Sequence, residues 1–210
     1  MNKITPLFLL ALFSCNTQSF YKHAQNGDLI FVEAQKEKLS GAISRVTAKN
    51  DNVLSYDHLG LVETDGKNKY ILHAAPENGS EKIPLKSFIK ANKKENRTQS
   101  LYRLKQNHQH CIPSAIEKAN TMLGKPYNTA YILNENAYYC SDFVERTFRD
   151  CKIFELQPMT FINPKTQKTD DYWQKFYDEL HLKVPEGELG CNPNGLSQSN
   201  KIEKIQMLKP

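Results

Sequence analysis

The sequence predicts an α+β domain, and three observations carry that expectation. Two apolar strands are joined at Asp65-Gly66, three amphipathic helices follow residue 112, and the chain holds enough apolar and aromatic side chains to bury a core. Hydrophobic residues make up 39% of the 210, with ten Phe and ten Tyr, so one domain of ordinary size is expected and disorder is not.

In chain order, Met1-Asn2-Lys3 leads into an uncharged, mostly apolar run from Ile4 to Phe13. That is a basic start followed by the apolar core of an export signal; at about ten residues it is too short to span a bilayer, which takes roughly twenty. The run ends in Leu12-Phe13-Ser14-Cys15, which resembles a bacterial lipobox. The expected organisation is therefore a signal peptide over 1–14, a tether over 15–25 with lipid on the Cys15 thiol, and one domain over 26–210. This makes the protein an exported lipoprotein, bound to the membrane of a bacterial envelope through its anchor.

Asn26-Gly27 is a turn before the strand Asp28-Leu29-Ile30-Phe31-Val32-Glu33. Residues 36 to 48 read as a helix, with Leu39, Ile43 and Val46 at helical spacing and polar Lys49-Asn50-Asp51-Asn52 stopping it. Strands are expected at 57–63 and 68–75, and Asp65-Gly66 between them is a strong hairpin signal because both turn positions need positive φ. A two-residue loop there pairs Thr64 with Lys67 and places His58 directly across from His73, with Cβ atoms about 4.5–5.5 Å apart on one face. Gly60 beside them is expected to leave room for an incoming group, and Glu63 falls on the opposite face.

Ile83 to Ala91 reads as a loop entering a short helix, and Leu101-Tyr102-Arg103-Leu104 as a strand. Pro113 to Leu123 is a helix with Pro early and Gly124 just past its end. A helix over 139–151 has Asp142 and Glu145 near its start, Arg146, Arg149 and Lys152 toward its end, and an inner stripe of Cys140, Val144, Thr147, Phe148 and Cys151. Thr169 to Leu182 is a further helix whose Trp173, Phe176, Tyr177 and Leu180 are expected to pack in the core. The tail from Pro185 to Pro210, rich in Pro, Gly, Asn and Ser, is expected to wrap the surface or fray.

Charge and cysteine usage narrow the function classes. Removing residues 1–14 takes away Lys3, so the formal charge falls from +5 to +4, 27 basic against 23 acidic residues. The basic stretch from Lys86 to Arg97 lacks an aromatic ladder or a nucleic-acid motif and reads as a solvated helix end, so no nucleic-acid partner is expected. Five cysteines, Cys15, Cys111, Cys140, Cys151 and Cys191, face an oxidising space after export. Cys140 and Cys151 on one helix stand about 16 Å apart, too far to bridge, so a disulfide uses two of Cys111, Cys151 and Cys191. His108-Gln109-His110-Cys111 reads as a solvated loop, and neither a metal nor a cofactor is expected.

A thiol attacks a carbonyl as thiolate, and a helix N-terminus with an adjacent imidazole favours that form. Cys140 sits at the start of the predicted helix, where backbone amides also suit the oxyanion of a tetrahedral intermediate. His58 is then the base and His73 the residue that fixes its ring. Against this stand plainer readings: Cys140 as a small buried hydrophobe, and His58 as a polar strand residue partnered by Asp57.

Gly27-Asp28-Leu29-Ile30-Phe31, Asp57-His58-Leu59-Gly60-Leu61-Val62, Ile71-Leu72-His73-Ala74, Gly124-Lys125-Pro126-Tyr127 and Tyr138-Tyr139-Cys140-Ser141-Asp142-Phe143-Val144 resemble the YiiX-like proteins, a circularly permuted branch of the NlpC-type papain-like superfamily. The likeness spans about residues 26 to 180, and the His motif precedes the Cys as permutation requires. The resemblance implies a central antiparallel sheet packed on a helix whose first residue is the nucleophile. It implies Cys140 as nucleophile, His58 as base, His73 as third polar residue and Tyr127 as a hydroxyl near the oxyanion. It further implies a cysteine amidase acting through an acyl-enzyme on a peptide or acyl-amide of the envelope, with cell-wall peptides first in line. A lipid N-acyl or ester hydrolase or acyltransferase, and a binding module without turnover, are the alternatives. Asn128 after Tyr127, and Asp142, depart from the usual acids at those positions.

Overall fold

The structure, a computed structural model, describes residues 16–36, 38–47 and 54–210. Cys15 and the signal segment lie outside the described residues. The framework is one antiparallel sheet of six strands: β1 (Leu29–Glu33), β2 (Tyr56–Asp65), β3 (Asn68–Ala75), β4 (Gly79–Pro84), β5 (Gln99–Leu104) and β10 (Ile202–Leu208), in the order β10-β5-β1-β2-β3-β4; outside it, β6 (Gln157–Pro158) pairs with β9 (Leu189–Gly190), and β7 (Ile162–Asn163) with β8 (Lys168–Thr169). The helices are α1 (16–23), α2 (Lys38–Thr47), α3 (Leu85–Lys94), α4 (Ile112–Thr121), α5 (Cys140–Phe148), α6 (Asp171–Glu179) and α7 (Pro193–Leu196). Short 3-10 turns precede α4 (Gln106–Cys111) and follow α5 (Arg149–Cys151).

Alternation along the strands fills two cores. Leu29 and Phe31 of β1, Leu59 and Leu61 of β2, and Leu72 and Ala74 of β3 pack with Phe143, Val144 and Phe148 of α5. Their neighbours Ile30, Val32, Val62 and Ile71 pack on the other face with Phe88 and Ile89 of α3. A third cluster joins Ala42 of α2 with Phe161, Trp173 and Tyr177, so the aromatic residues of α6 are core packing.

Several expectations are corrected. Within the stretch expected as a tether, 16–23 is helical, Phe20 and Ala24 are buried against the α3 face, and Lys69 Nζ donates to the carbonyls of Tyr21, Lys22 and Ala24 at 2.8, 3.0 and 2.6 Å, capping the helix end. The hairpin turns on Gly66-Lys67, with Asp65 pairing Asn68 and Leu61 pairing Leu72, so its register differs by two residues from the expected one. Gly66, at φ +58, occupies the first turn position. β4, expected as loop, pairs along β3 after the turn at Asn78-Gly79. The tail does not wrap loosely, because β10 closes the sheet against β5.

The Asp28 motif reads physically as a turn anchor. Its carboxylate takes two hydrogen bonds from Arg103, at 2.7 and 2.8 Å, and one from the Gln25 N–H at 2.7 Å, which fixes the entry to β1. Cys111 and Cys151 form a disulfide with Cα atoms 6.2 Å apart, tying the turn before α4 to the turn after α5, and Cys191 stays a buried free thiol.

Candidate active site

Cys140 is the first residue of α5, follows the extended Tyr139, and is 4% exposed. Three anchors place it. Every residue of α5 is buried, and the helix is braced by the Arg146–Asp142 ion pair at 2.6 Å and by Arg149 on Glu145. The Ser141 hydroxyl donates to the Cys191 carbonyl at 3.1 Å, bringing the C-terminal segment alongside. The loop 126–128 pairs with Tyr138 through two backbone bonds of 3.1 Å, which sets Tyr127 against the nucleophile's helix.

The histidines reach the site through a bulge. In β2, His58 pairs Val32 and Tyr56 pairs Glu33, which leaves Asp57 unpaired between them. The freed Asp57 carbonyl accepts from the Cys140 thiol at 3.7 Å, and its carboxylate is held by Arg97 and Ser40. His58 Nε2 lies 2.9 Å from His73 Nδ1, and the rings of both pack on Phe88 of α3. The two side chains are diagonal rather than directly opposed. A two-residue slip keeps each on its expected face, which is why the contact survives the change of register. Gly60 makes room for His73 rather than for a substrate: a Cβ there stands 2.6 Å from Ile71 Cγ1 and 3.1 Å from His73 Cβ.

Cys140, at the head of α5 on one face of the sheet, and His58, on the face of β2 that packs against α3, both line one cavity. At rest the thiol is bonded to the Asp57 carbonyl, not to an imidazole. Burial pushes the thiol up to about 12, and the Asp57 carboxylate adds to this; the N–H groups of Ser141 and Leu59 and the Tyr127 hydroxyl pull it back down. Burial also holds His58 well below its usual range, helped by His73 and Arg97, and lowers His73 to about 4. Tyr127 is raised well above the phenol range by burial and by the Cys140 sulfur, so its hydroxyl keeps its proton and remains a donor.

All four expected site residues therefore line one cavity of about 650 Å³. Its walls differ in kind. On one side are Leu39, Ile43 and Val46 of α2 with Met159, Phe161 and Trp173, members of a single apolar cluster. On the other, Glu77, Glu81, Glu95 and Arg97 from the β3–β4 turn, β4 and the chain after α3 stand among the apolar Ile83, Phe88 and Ala91. Sequence reasoning missed Asp57 as the bulge, Arg97 as its partner, and the wall formed by Cys191 and Asn192. It also missed Asn194, whose side chain accepts from the Tyr56 N–H at 2.6 Å and donates to Thr47 and Ser55 at 2.8 and 2.9 Å, pinning the strand end beside the bulge. Asn78-Gly79 was a legible signal for the turn that brings Glu81 opposite His73.

The permuted papain-like amidases of the YaeF/YiiX type, the C92 family, match residues 23–206. Among solved structures, yiiX from Escherichia coli O157:H7, described as a metalloprotein, superposes with a TM-score of 0.68 at 22% identity over 89% of this chain and 98% of that one. No curated protein matches the chain. The group of three close donors among the described residues, His110, Cys111 and Cys151, does not suit a metal, because both its sulfurs are spent in the disulfide. With the match covering nearly all of the described chain and the Cys following the histidines on an antiparallel sheet, the chain belongs to the YaeF/YiiX family of permuted papain-like amidases and is a cysteine hydrolase.

Proposed function

We propose that the protein cleaves an amide joining an apolar acyl group to a polar amine, through a thioester on Cys140. The observation that carries this reading is the cavity, apolar toward α2 and α6 and carrying Glu77, Glu81, Glu95 and Arg97 among apolar residues on the β4 side, with Cys140 and His58 in its wall. His58 Nε2 is engaged by His73, so its Nδ1 is the nitrogen left to serve the thiol. The S–H turns from the Asp57 carbonyl to that nitrogen, the proton passes to the imidazole, and sulfur attacks the carbonyl carbon. Amides at the head of α5 and the Tyr127 hydroxyl stabilise the oxyanion, a contribution of about 3 kcal/mol per donor in comparable sites. The imidazolium then protonates the departing amine. Water, deprotonated by the same ring, splits the thioester to a carboxylate and restores the thiol.

Two neutral partners suit this sequence, because burial disfavours a standing ion pair until the substrate supplies the developing charge. The acyl portion lies along the apolar cluster, and the amine leaves toward the acidic side, where the histidines are. A cell-wall peptide ranks second, since its polar chain leaves Leu39, Ile43, Phe161 and Trp173 facing groups they do not match. The lipobox-like Leu12-Phe13-Ser14-Cys15 supports placing this activity at the envelope, with the enzyme anchored by lipid on Cys15.

The test is incubation of the protein and its Cys140→Ala variant with N-palmitoyl amino acids and with peptidoglycan digests, followed by intact-mass spectrometry. The expected result is a palmitoyl thioester on the wild-type protein alone. An adduct from the digest only supports the peptide reading, and no adduct from either supports a binding module.

A further inference from the structure

We propose that Glu81 is a positioning residue that sets the proton arrangement of both histidines, as the outer member of a chain Cys140, His58, His73, Glu81. The inference rests on His58 being the base for Cys140 and says which residue makes it one.

The geometry is a line of nitrogen and oxygen atoms. His73 pairs directly with Glu81 across the β3–β4 ladder. His73 Nδ1 is 2.9 Å from His58 Nε2, and its other nitrogen, Nε2, is 3.5 Å from Glu81 Oε1. That Nε2 is buried and has no hydrogen-bond partner, and His73 as a whole is 4% exposed. The same Glu81 oxygen is steadied by the Asn78 side-chain N–H at 3.3 Å. A shift of about half an ångström brings the imidazole and carboxylate to ordinary hydrogen-bond length. Such outer contacts in a catalytic chain are commonly long in the free enzyme and tighten when substrate binds.

A carboxylate only accepts, so the proton on His73 belongs on Nε2. Its Nδ1 is then a lone pair, which makes the facing His58 Nε2 the donor. His58 Nδ1 is left with a lone pair, as the acceptor of the thiol proton requires. The reverse polarity, His73 Nδ1–H to His58 Nε2, leaves a hydrogen on His58 Nδ1 and disables the base. Among the described residues no other group hydrogen-bonds either ring, although Glu77 also acts on His73 through its charge. Glu77 faces His73 from the turn and Arg97 faces His58 from the chain after α3, while Asp57 is spent on Arg97 and Ser40 and does not bond either ring. The role is one of tautomer control, exerted through His73: Glu81 makes no contact with the thiol.

The test is nitrogen-15 NMR of the imidazoles near pH 7.5 in the wild-type protein, Glu81→Leu and Glu81→Gln, with His58→Ala and His73→Ala spectra for assignment. The expected result is that both wild-type rings carry their hydrogen on Nε2. In Glu81→Leu the tautomers mix and iodoacetamide alkylation of Cys140 slows about tenfold, while Glu81→Gln, whose amide oxygen still accepts, retains most of both properties. A wild-type hydrogen on Nδ1 of either ring overturns the proposal without recourse to any variant, as do unchanged tautomers in a folded Glu81→Leu. Correct tautomers without thioester formation count against the amidase reading alone, so the two failures are separable.

Discussion

At the scale of single residues, the site depends on where one strand stops pairing. The bulge at Asp57 releases the carbonyl that meets the Cys140 thiol and turns His58 toward the end of the sheet, while Asn194 holds the neighbouring Tyr56 N–H. Asn194→Ala leaves that buried N–H unpaired; it is expected to lower stability by about 1–3 kcal/mol and to slow Cys140 acylation, read by denaturant titration and by intact mass. Gly60→Ala drives a methyl into Ile71 and the His73 Cβ. The expected cost is about 1–3 kcal/mol, with loss of the His58–His73 contact visible in imidazole NMR; a variant as stable and as reactive as the wild type contradicts the packing described. Residue type and local motif single out Cys140, His58, His73 and Tyr127 in the sequence, and all four line one cavity. Asp57 and Asn194 are not singled out, because a bulge breaks the strand period and Asn194 acts across 138 residues of sequence.

Among the elements, the apolar strands and the long amphipathic helices were readable because burial imposes their periods. Errors gathered where pairing decides. The hairpin turns one residue later than Asp65-Gly66 suggests, since Gly66 alone supplies the positive φ. The two-residue error in register was harmless to the site, whereas a one-residue error would have sent His58 to the α5 face. β4 and β10 were missed because both are polar edge strands, and α1 because eight residues beside a signal segment look like linker until Phe20 is seen buried. Gly79, at φ +70, brings β4 within reach of the Tyr127 loop; a Cβ there lies 2.1 Å from the Lys125 carbonyl oxygen. Gly79→Ala is therefore expected to destabilise the domain and displace Tyr127, checked by thermal melting and by loss of acylation. Reducing the Cys111–Cys151 disulfide, which closes a segment 40 residues long, is expected to cost about 4 kcal/mol by the loop-entropy relation. Denaturant titration with and without a phosphine reductant measures it.

Over the whole molecule, the buried titrating groups give stability a defined pH dependence. His73 falls from 6.5 unfolded to about 4 folded, so the unfolded chain binds the extra proton; the penalty begins as pH drops below 6.5 and is complete below about 4, on the order of 3 kcal/mol. Asp142, raised by burial to about 6, acts in the opposite direction between its ordinary value and 6. The His73 contribution is therefore read as the difference between wild type and His73→Leu, whose acid destabilisation is expected to be shallower. No helix among the described residues is long and apolar enough to cross a membrane. In the proposed mechanism the Cys140 thiol and the His58 imidazole, from opposite faces of the sheet, work as one unit. The most direct measurement is the rate of Cys140 alkylation by iodoacetamide at neutral pH in wild type and in His58→Ala. Removing the imidazole is expected to slow alkylation at least about tenfold; equal rates in two folded proteins rule out His58 as the base for Cys140.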